Sequence, residues 1–403
     1  MPTRTSNSGP YRGCCWTFSA TVVAVPGIDP WIAAEAERIA RHAERELEAL
    51  VAVSSPSGDA EAAEEVIAVT SALLPDEAEI ERPACSSPDH APDLLARVRG
   101  SGSGRIVLLG HLDTVVAHDA HRHLERDGDK LVGSGAVDMK GGVVLALGVL
   151  RALLDRLQDF AEVALLLVVD EEWRIAPFVH ADRLAHFDAC LCFEAGERTP
   201  AGEEGVIVRR KAAGTLRVRA EGRAAHSGAA PDKGRNALLA LAAAAQAVAA
   251  CHDPQGPERL SAVPTILNSG EAFNVVPADG ELLCDLRADR LEAFAPVLAA
   301  VPAEHEGVRL RAEIMRSWPG MDSREATRDL LAGATRRLGR PVVGTERGGA
   351  SDASHFAARI PLTVDGLGPR GGGAHHPDEY VLAPSLRERA EVALAVAAEA
   401  LGL

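Results

Sequence analysis

From Pro30 to Leu50, apolar residues recur at Ile32, Ala36, Ile39, Ala43, Leu47 and Leu50, a spacing that gathers them on one face of a helix. Turn residues from Ser54 to Gly58 break the period, and Glu61 to Leu74 resumes it. Short apolar runs follow at Ile106–Leu109, Val163–Val169, Ala189–Phe193 and Leu362–Val364, and between the first two a glycine-rich turn opens a long apolar helix, Gly142–Leu157. An unbroken apolar run suits a strand buried on both faces. Alternation of such runs with helical stretches predicts an α/β unit around a mainly parallel central sheet.

The texture changes near Gly205. Thr215–Ala220 alternates in strand fashion, Asn236–Ala250 reads as an Ala/Leu-rich helix, and strand-like Thr265–Asn268 and Gly280–Arg287 follow. A helix through Leu291–Val301 and an alternating run, Val308–Ile314, complete the series. This order predicts a small α+β unit of ferredoxin-like type inserted in the larger one. The expected organisation is an N-terminal extension over 1–29, a catalytic unit in two parts at 30–211 and 320–403, and the insert at 212–319.

Composition agrees with two sizeable cores. A chain of 403 residues exceeds the roughly 250 to 300 at which single cores stop growing. With 47% hydrophobic and 25% charged residues it is an ordinary globular chain, and its longest apolar runs fall short of the roughly 20 residues a membrane crossing needs. The formal net charge of −16, without any block of Lys or Arg, argues against nucleic acid or an anionic membrane as partner. Seven scattered cysteines form neither a disulfide framework nor a paired metal motif, which fits a reducing, cytoplasmic setting. In the first 29 residues, Arg4 and Arg12 ahead of Cys14–Val25 have the outline of a secretory signal, but Pro26 and Gly27 close the segment without a small-x-small cleavage site. A flexible extension is the expectation there.

Acids and histidines stand directly after the buried strands. Ile106–Leu109 runs into Gly110, His111, Leu112 and Asp113; Val163–Val169 into Asp170, Glu171 and Glu172; Ala189–Phe193 into Glu194; and Leu362–Val364 leads through a glycine-rich loop to Ala374, His375 and His376. In open α/β sheets the carboxyl ends of parallel strands converge on one crevice. Any one of these acids is as readily a solvated surface charge, but the set together predicts a metal site. Mixed His, Asp and Glu without thiolates suits zinc, with manganese or cobalt as alternatives.

These residues resemble a known family, the two-zinc hydrolases that include acetylornithine deacetylase, succinyl-diaminopimelate desuccinylase, aminoacylase and glutamate carboxypeptidase. Gly110-His111-Leu112-Asp113-Thr114-Val115 is similar to the family's first metal motif, and Gly133 to Gly142 to its second. The resemblance covers nearly everything from Trp31 onward and implies two zinc ions, His111 and Glu194 holding one, Glu172 and His375 the other, and Asp138 bridging them. It also implies a cis peptide at Asp138-Met139, Asp113 as hydrogen-bond acceptor for the remote nitrogen of His111, and His376 as a pocket-wall residue. Glu171 is then expected to be the general base toward a metal-bound water attacking an amide next to a carboxylate. In the insert, Gly222 to Gly228 with His226, and Asn274-Val275-Val276-Pro277, resemble motifs of the family's dimerisation domain, which implies a homodimer with His226 reaching the partner's site. Asn274, Arg287, Gly349 and Ser351 match substrate-binding positions. The implied substrate is a small peptide or N-acyl amino acid.

Two departures bear on specificity. After Glu172 the family often has a small Gly-Ser turn where this chain has Trp173-Arg174, so that the bulky residue either reshapes the cleft or packs under its loop. Trp318 precedes Pro319 where the glutamate carboxypeptidase branch has a basic residue, and Arg316 lies two positions earlier.

Overall fold

The computed structural model describes residues 27–403, so the expected extension lies almost wholly outside the described residues. A six-stranded sheet runs in the order Glu79–Glu81, Leu94–Arg99, Phe160–Val168, Gly104–His111, Ala189–Cys192, Leu362–Val364. The last four strands are mutually parallel and the first two pair antiparallel at one edge. This is the mainly parallel α/β architecture that the apolar runs predict.

Both faces of the sheet are covered, which explains those runs. Ile106 and Leu108 point into a core shared with helices Pro30–Val51, Gly141–Ala152 and Ala383–Leu401, while Val107 and Leu109 point into a second core with Leu184, Phe187, Ala353 and Phe356. The helix Pro30–Val51 starts where Asp29 accepts the Trp31 N–H at 2.9 Å, and it buries the predicted stripe from Ile32 to Leu50. Gly141–Ala152 ends earlier than the sequence suggests and tightens into a 3₁₀ turn, Leu153–Arg156. Gly142 lets this helix touch the sheet: a Cβ there would stand 1.9 Å from the Phe193 carbonyl oxygen.

A separate five-stranded antiparallel sheet runs Ser261–Ser269, Asp279–Ala288, Ala212–Glu221, Val308–Trp318, Glu304–His305. Helices Ala237–Ala249 and Ala295–Ala300 cover one face, and Leu216, Val218, Leu282, Cys284, Leu286 and Val308 pack beneath them. The second helix is preceded by a 3₁₀ turn, Leu291–Phe294, because Pro296 brings no N–H to a continuous run. The other face bears a β-bulge at its cleft end: Thr215 opposes Arg316 while Leu216 opposes Ile314, which leaves Met315 unpaired. Ile314 packs toward the helices, so regular alternation would send Arg316 there too. The bulge turns Arg316 onto the open face with Thr215.

Candidate metal centre

The strand ends deliver their acids and histidines to one place. His111 closes its strand, Glu171 and Glu172 follow Phe160–Val168, and Glu194 follows Ala189–Cys192, so three adjacent parallel strands contribute. Asp138 comes from the loop before Gly141–Ala152, and its peptide bond to Met139 is cis. His375 comes from the loop between Gly371–Gly372 and Tyr380–Leu382, with its backbone held at φ 64°, in the left-handed region that non-glycine residues seldom adopt.

Two groups of possible donors result. His111, Asp138 and Glu194 form one, Asp138, Glu172 and His375 the other, each with its ligand atoms within 4.8 Å of one another. His111 Nε2 stands 3.1 Å from one Asp138 oxygen and 3.7 Å from Glu194, while His375 Nε2 stands 3.2 Å from the other Asp138 oxygen and 3.1 Å from Glu172. Asp138 thus offers one oxygen to each group.

The electrostatics are those of a centre built for cations. Burial, with the Asp138 charge beside it, pushes Glu194 up to about 8, and burial raises Glu172 as well. Asp138 lies well below the usual carboxylate range despite its burial, because His111 and His375 donate to it. Hydrogen bonds to Asp138 and Glu172 lift His375 to about 10. Burial opposes a charge on His111, yet Asp113, Asp138 and Glu194 hold its pKa well above the ordinary value. The oxygen and nitrogen donor set therefore fits zinc or a similar divalent ion.

Glu171 belongs to neither donor group. It lines the same cavity, and its carboxylate takes no hydrogen bond among the described residues. Burial, reinforced by the negative charges of Asp352, Glu194 and Glu172, raises it well above the usual range. Asp113 is buried between strand ends. His111 Nδ1 lies 3.0 Å from the Asp113 carbonyl oxygen and 3.4 Å from its carboxylate, so the nearer acceptor is main chain rather than the expected side chain. The Asp113 carboxylate instead accepts the backbone N–H groups of Glu171 and Glu172 at 3.2 and 3.1 Å, tying one strand end to the next.

The remaining expected residues divide. Arg287 and Gly349 line the cavity; Arg287 is paired with Asp285 at 3.0 Å, and the Gly349 carbonyl accepts from Arg210 at 2.9 Å. Ser351 is fully buried, and its hydroxyl donates to Asp365 at 2.6 Å, so its side chain does not reach the cleft. His376 is exposed and turned back on its own loop, accepting the Asp378 N–H at 3.2 Å, and is not a wall residue. His226 and Asn274 lie together on the insert, away from the donors within this chain, where strand Ala225–His226 pairs with Val275–Val276. The exposed His226 ring accepts the N–H groups of Gly228 and Ala229 at Nδ1, both at 3.1 Å, which puts its own proton on Nε2. Trp173 is not packed under its loop; it is 62% exposed and lines the cleft.

Sequence reasoning missed four supporting groups. Glu379 is buried and accepts the N–H groups of Gly135, Val137 and Asp138 at 3.0, 2.7 and 2.9 Å, shaping the loop that carries Asp138. Its place four residues after His375 was the available signal. Lys140 is fully buried and donates to the Val53 carbonyl at 2.7 Å. Arg210 pairs with Asp365 at 2.6 Å, and Arg174 is buried between Asp170 and Asp352 at 2.6 and 2.9 Å. No local pattern foretells the pairs Arg210–Asp365 and Arg174–Asp352, whose partners are more than a hundred residues apart.

Comparison with known proteins accords with this geometry. The profile of Peptidase family M20/M25/M40 matches residues 107–399. Carboxypeptidase G2 of Pseudomonas sp. (strain RS-16) is 27% identical over 306 residues, 72% of this chain and 72% of that protein. Succinyl-diaminopimelate desuccinylase of Methylobacterium radiotolerans is 30% identical over 351 residues, 79% of this chain and 87% of that protein. Among solved structures, the aminopeptidase PepT from Bacillus cereus ATCC 10987 matches with a TM-score of 0.74 at 19% identity, covering 90% of this chain and 99% of that one, a likeness of fold. Matched over most of its length, the chain belongs to peptidase family M20/M25/M40 and is a metallopeptidase/amidohydrolase of that family.

Proposed function

We propose that this chain is a two-zinc hydrolase that cleaves an amide next to a carboxylate in a small peptide or an N-acyl amino acid. The observation that carries the reading is the pair of donor groups sharing Asp138, with the uncommitted Glu171 in the same cavity. His111 and Glu194 would hold one ion, Glu172 and His375 the other, and Asp138 would bridge them; cobalt and manganese suit the same donors. Zinc in such a site polarises a carbonyl and lowers the pKa of water to about 7.

Glu171 takes the proton from the attacking water and returns it to the departing nitrogen. Asp113 holds the Glu171–Glu172 backbone in register with His111. Arg287, on the open face of the insert sheet, meets the substrate carboxylate beside the Gly349 loop. We further infer that 212–319 is a dimerisation insert in a cytoplasmic homodimer. Strand Ser261–Ser269 is a sheet edge with Val263, Ile266 and Leu267 exposed, a surface suited to pairing with its twin. His226, with its proton on Nε2, would donate to the oxyanion in the partner's site, with Asn274 beside it. An aminopeptidase would need a further free acid, besides the base Glu171, for the substrate ammonium, and Asp285, which lines the cleft, is already paired with Arg287.

The test is a hydrolysis screen of N-acyl amino acids and dipeptides with zinc-loaded protein. Turnover of either library supports the reading. Two bound metals without turnover of any compound overturns it in favour of a binding protein.

A further inference from the structure

We propose that Glu379 is a positioning residue of the metal centre: it joins the loops carrying Asp138 and His375 into one unit, so that the donor common to both groups is in place before any ion arrives. The inference rests on the two-metal reading above and adds what holds its shared ligand.

The donors have two origins. His111, Glu172 and Glu194 end or follow strands of the six-stranded sheet, whereas Asp138 and His375 come from loops of a small antiparallel sheet ordered Gly371–Gly372, Tyr380–Leu382, Lys130–Val132, Glu125–Asp127. The Asp138 loop leaves Lys130–Val132, and the His375 loop enters Tyr380–Leu382, the strand paired with it. Each donor group draws on both origins: His111 and Glu194 with Asp138, and Glu172 with Asp138 and His375. The geometry of either group therefore depends on how these two loops are held.

Glu379 stands at their junction. Its carbonyl oxygen accepts the Gly133 N–H at 3.0 Å, where the Asp138 loop begins. Its buried carboxylate accepts the Gly135 N–H at 3.0 Å through one oxygen, and those of Val137 and Asp138 at 2.7 and 2.9 Å through the other. Gly135, at φ 70°, turns the chain so that these N–H groups point into one concavity, the arrangement by which a backbone holds an anion. Fixing the Asp138 N–H fixes the direction in which its side chain leaves the main chain. Glu379 belongs to neither donor group and both its oxygens are committed to backbone, so it acts through Asp138 and not on an ion. Only a carboxylate suits this place, because the N–H groups need acceptors on both oxygens. A glutamine amide would set its NH₂ against an N–H whichever way it is turned, and leave a buried donor unpaired.

The experiment titrates the metal-free full chain with zinc in a calorimeter, for wild type, Glu379→Gln and His375→Ala. It adds the visible spectra of the cobalt-loaded forms and hydrogen exchange over residues 133–140 without metal, read by mass spectrometry. In wild type the metal-free loop is expected to exchange slowly. Glu379→Gln should speed that exchange, weaken both ions by about 10- to 100-fold and change the cobalt spectrum at both equivalents, whereas His375→Ala should weaken mainly one ion. A folded Glu379→Gln that binds both ions as tightly as wild type overturns the proposal, and so does a loss confined to one ion. Exchange in the wild type decides the point even if the variant does not fold: a segment that exchanges as fast as an open loop is not held before the ion arrives, and the proposal fails. A wild type that takes up fewer than two ions overturns the two-metal reading, and the exchange measurement then judges Glu379 alone.

Discussion

Glu171 and Glu172 are neighbours in the chain with different surroundings: Glu172 faces His375 at 3.1 Å, whereas Glu171 faces open cavity. If Glu171 is the base, Glu171→Gln keeps its shape and the metal content but lowers turnover by about 10² to 10⁴-fold. Metal analysis alongside kinetics checks this, and zinc lost in proportion to activity would make Glu171 a ligand. His355 offers a second measurement at this scale. It stacks on Phe178 with centroids 5.0 Å apart, its Nε2 is buried without a partner among the described residues, and burial lowers its pKa from 6.5 to about 4. The folded chain therefore takes up this proton later than the unfolded one. Above pH 6.5 both states are neutral and nothing is lost; as pH falls to about 4 the folded state loses about 3 kcal/mol relative to the unfolded. His355→Phe preserves the stack and removes the proton site, so its advantage in unfolding free energy should grow as pH falls through that window. A pH-independent difference in urea titrations would count against a neutral His355.

At the scale of elements, the contact between helix Gly141–Ala152 and the strand end at Phe193 sets where the Asp138 loop stands relative to Glu194. Gly142→Ala cannot be absorbed by a side-chain rotation, because the obstacle is a carbonyl. It should destabilise by about 1 to 3 kcal/mol and reduce bound zinc, seen as a lower melting temperature and a substoichiometric metal content; full zinc with an unchanged melting temperature would refute this. Elements with one strong period were legible from the sequence: the stripe from Ile32 to Leu50, the buried runs, and the alternation in the insert. Leu94–Arg99, Glu204–Arg210 and Val342–Arg347 were not, because they mix apolar residues with charges satisfied far away, as Arg97 is by Glu162 and Arg209 by Asp289. His111, Glu172 and Glu194 were legible for a related reason: a residue just after a buried strand has its position fixed by the sheet. Asp138 and His375 sit on loops and were legible through the motifs around them, whereas Ser351, His376 and Trp173 sit on loops whose turns decide where a side chain points. The bulge at Met315, which swings Arg316 to the open face, likewise has no mark in the local pattern.

For the whole molecule, His226 stands apart from the donor groups within one chain, and the proposed reading gives its use to a second copy. Mixing inactive Glu171→Gln with inactive His226→Ala should restore activity under subunit exchange, since some mixed dimers hold one site with both residues intact. Silence from a mixture shown to exchange would mean that His226 serves its own chain or none. The location of the donors has a further consequence. His111, Glu172 and Glu194 hang from three neighbouring parallel strands, whose pitch of about 4.8 Å is set by main-chain hydrogen bonds. That pitch acts as a gauge which substitution elsewhere in the protein does not reset. Tolerance to sequence drift is accordingly lopsided: the loop after Glu172 and the open face of the insert can exchange side chains and alter what is cut, while the spacing that makes cutting possible is kept by bonds common to every residue.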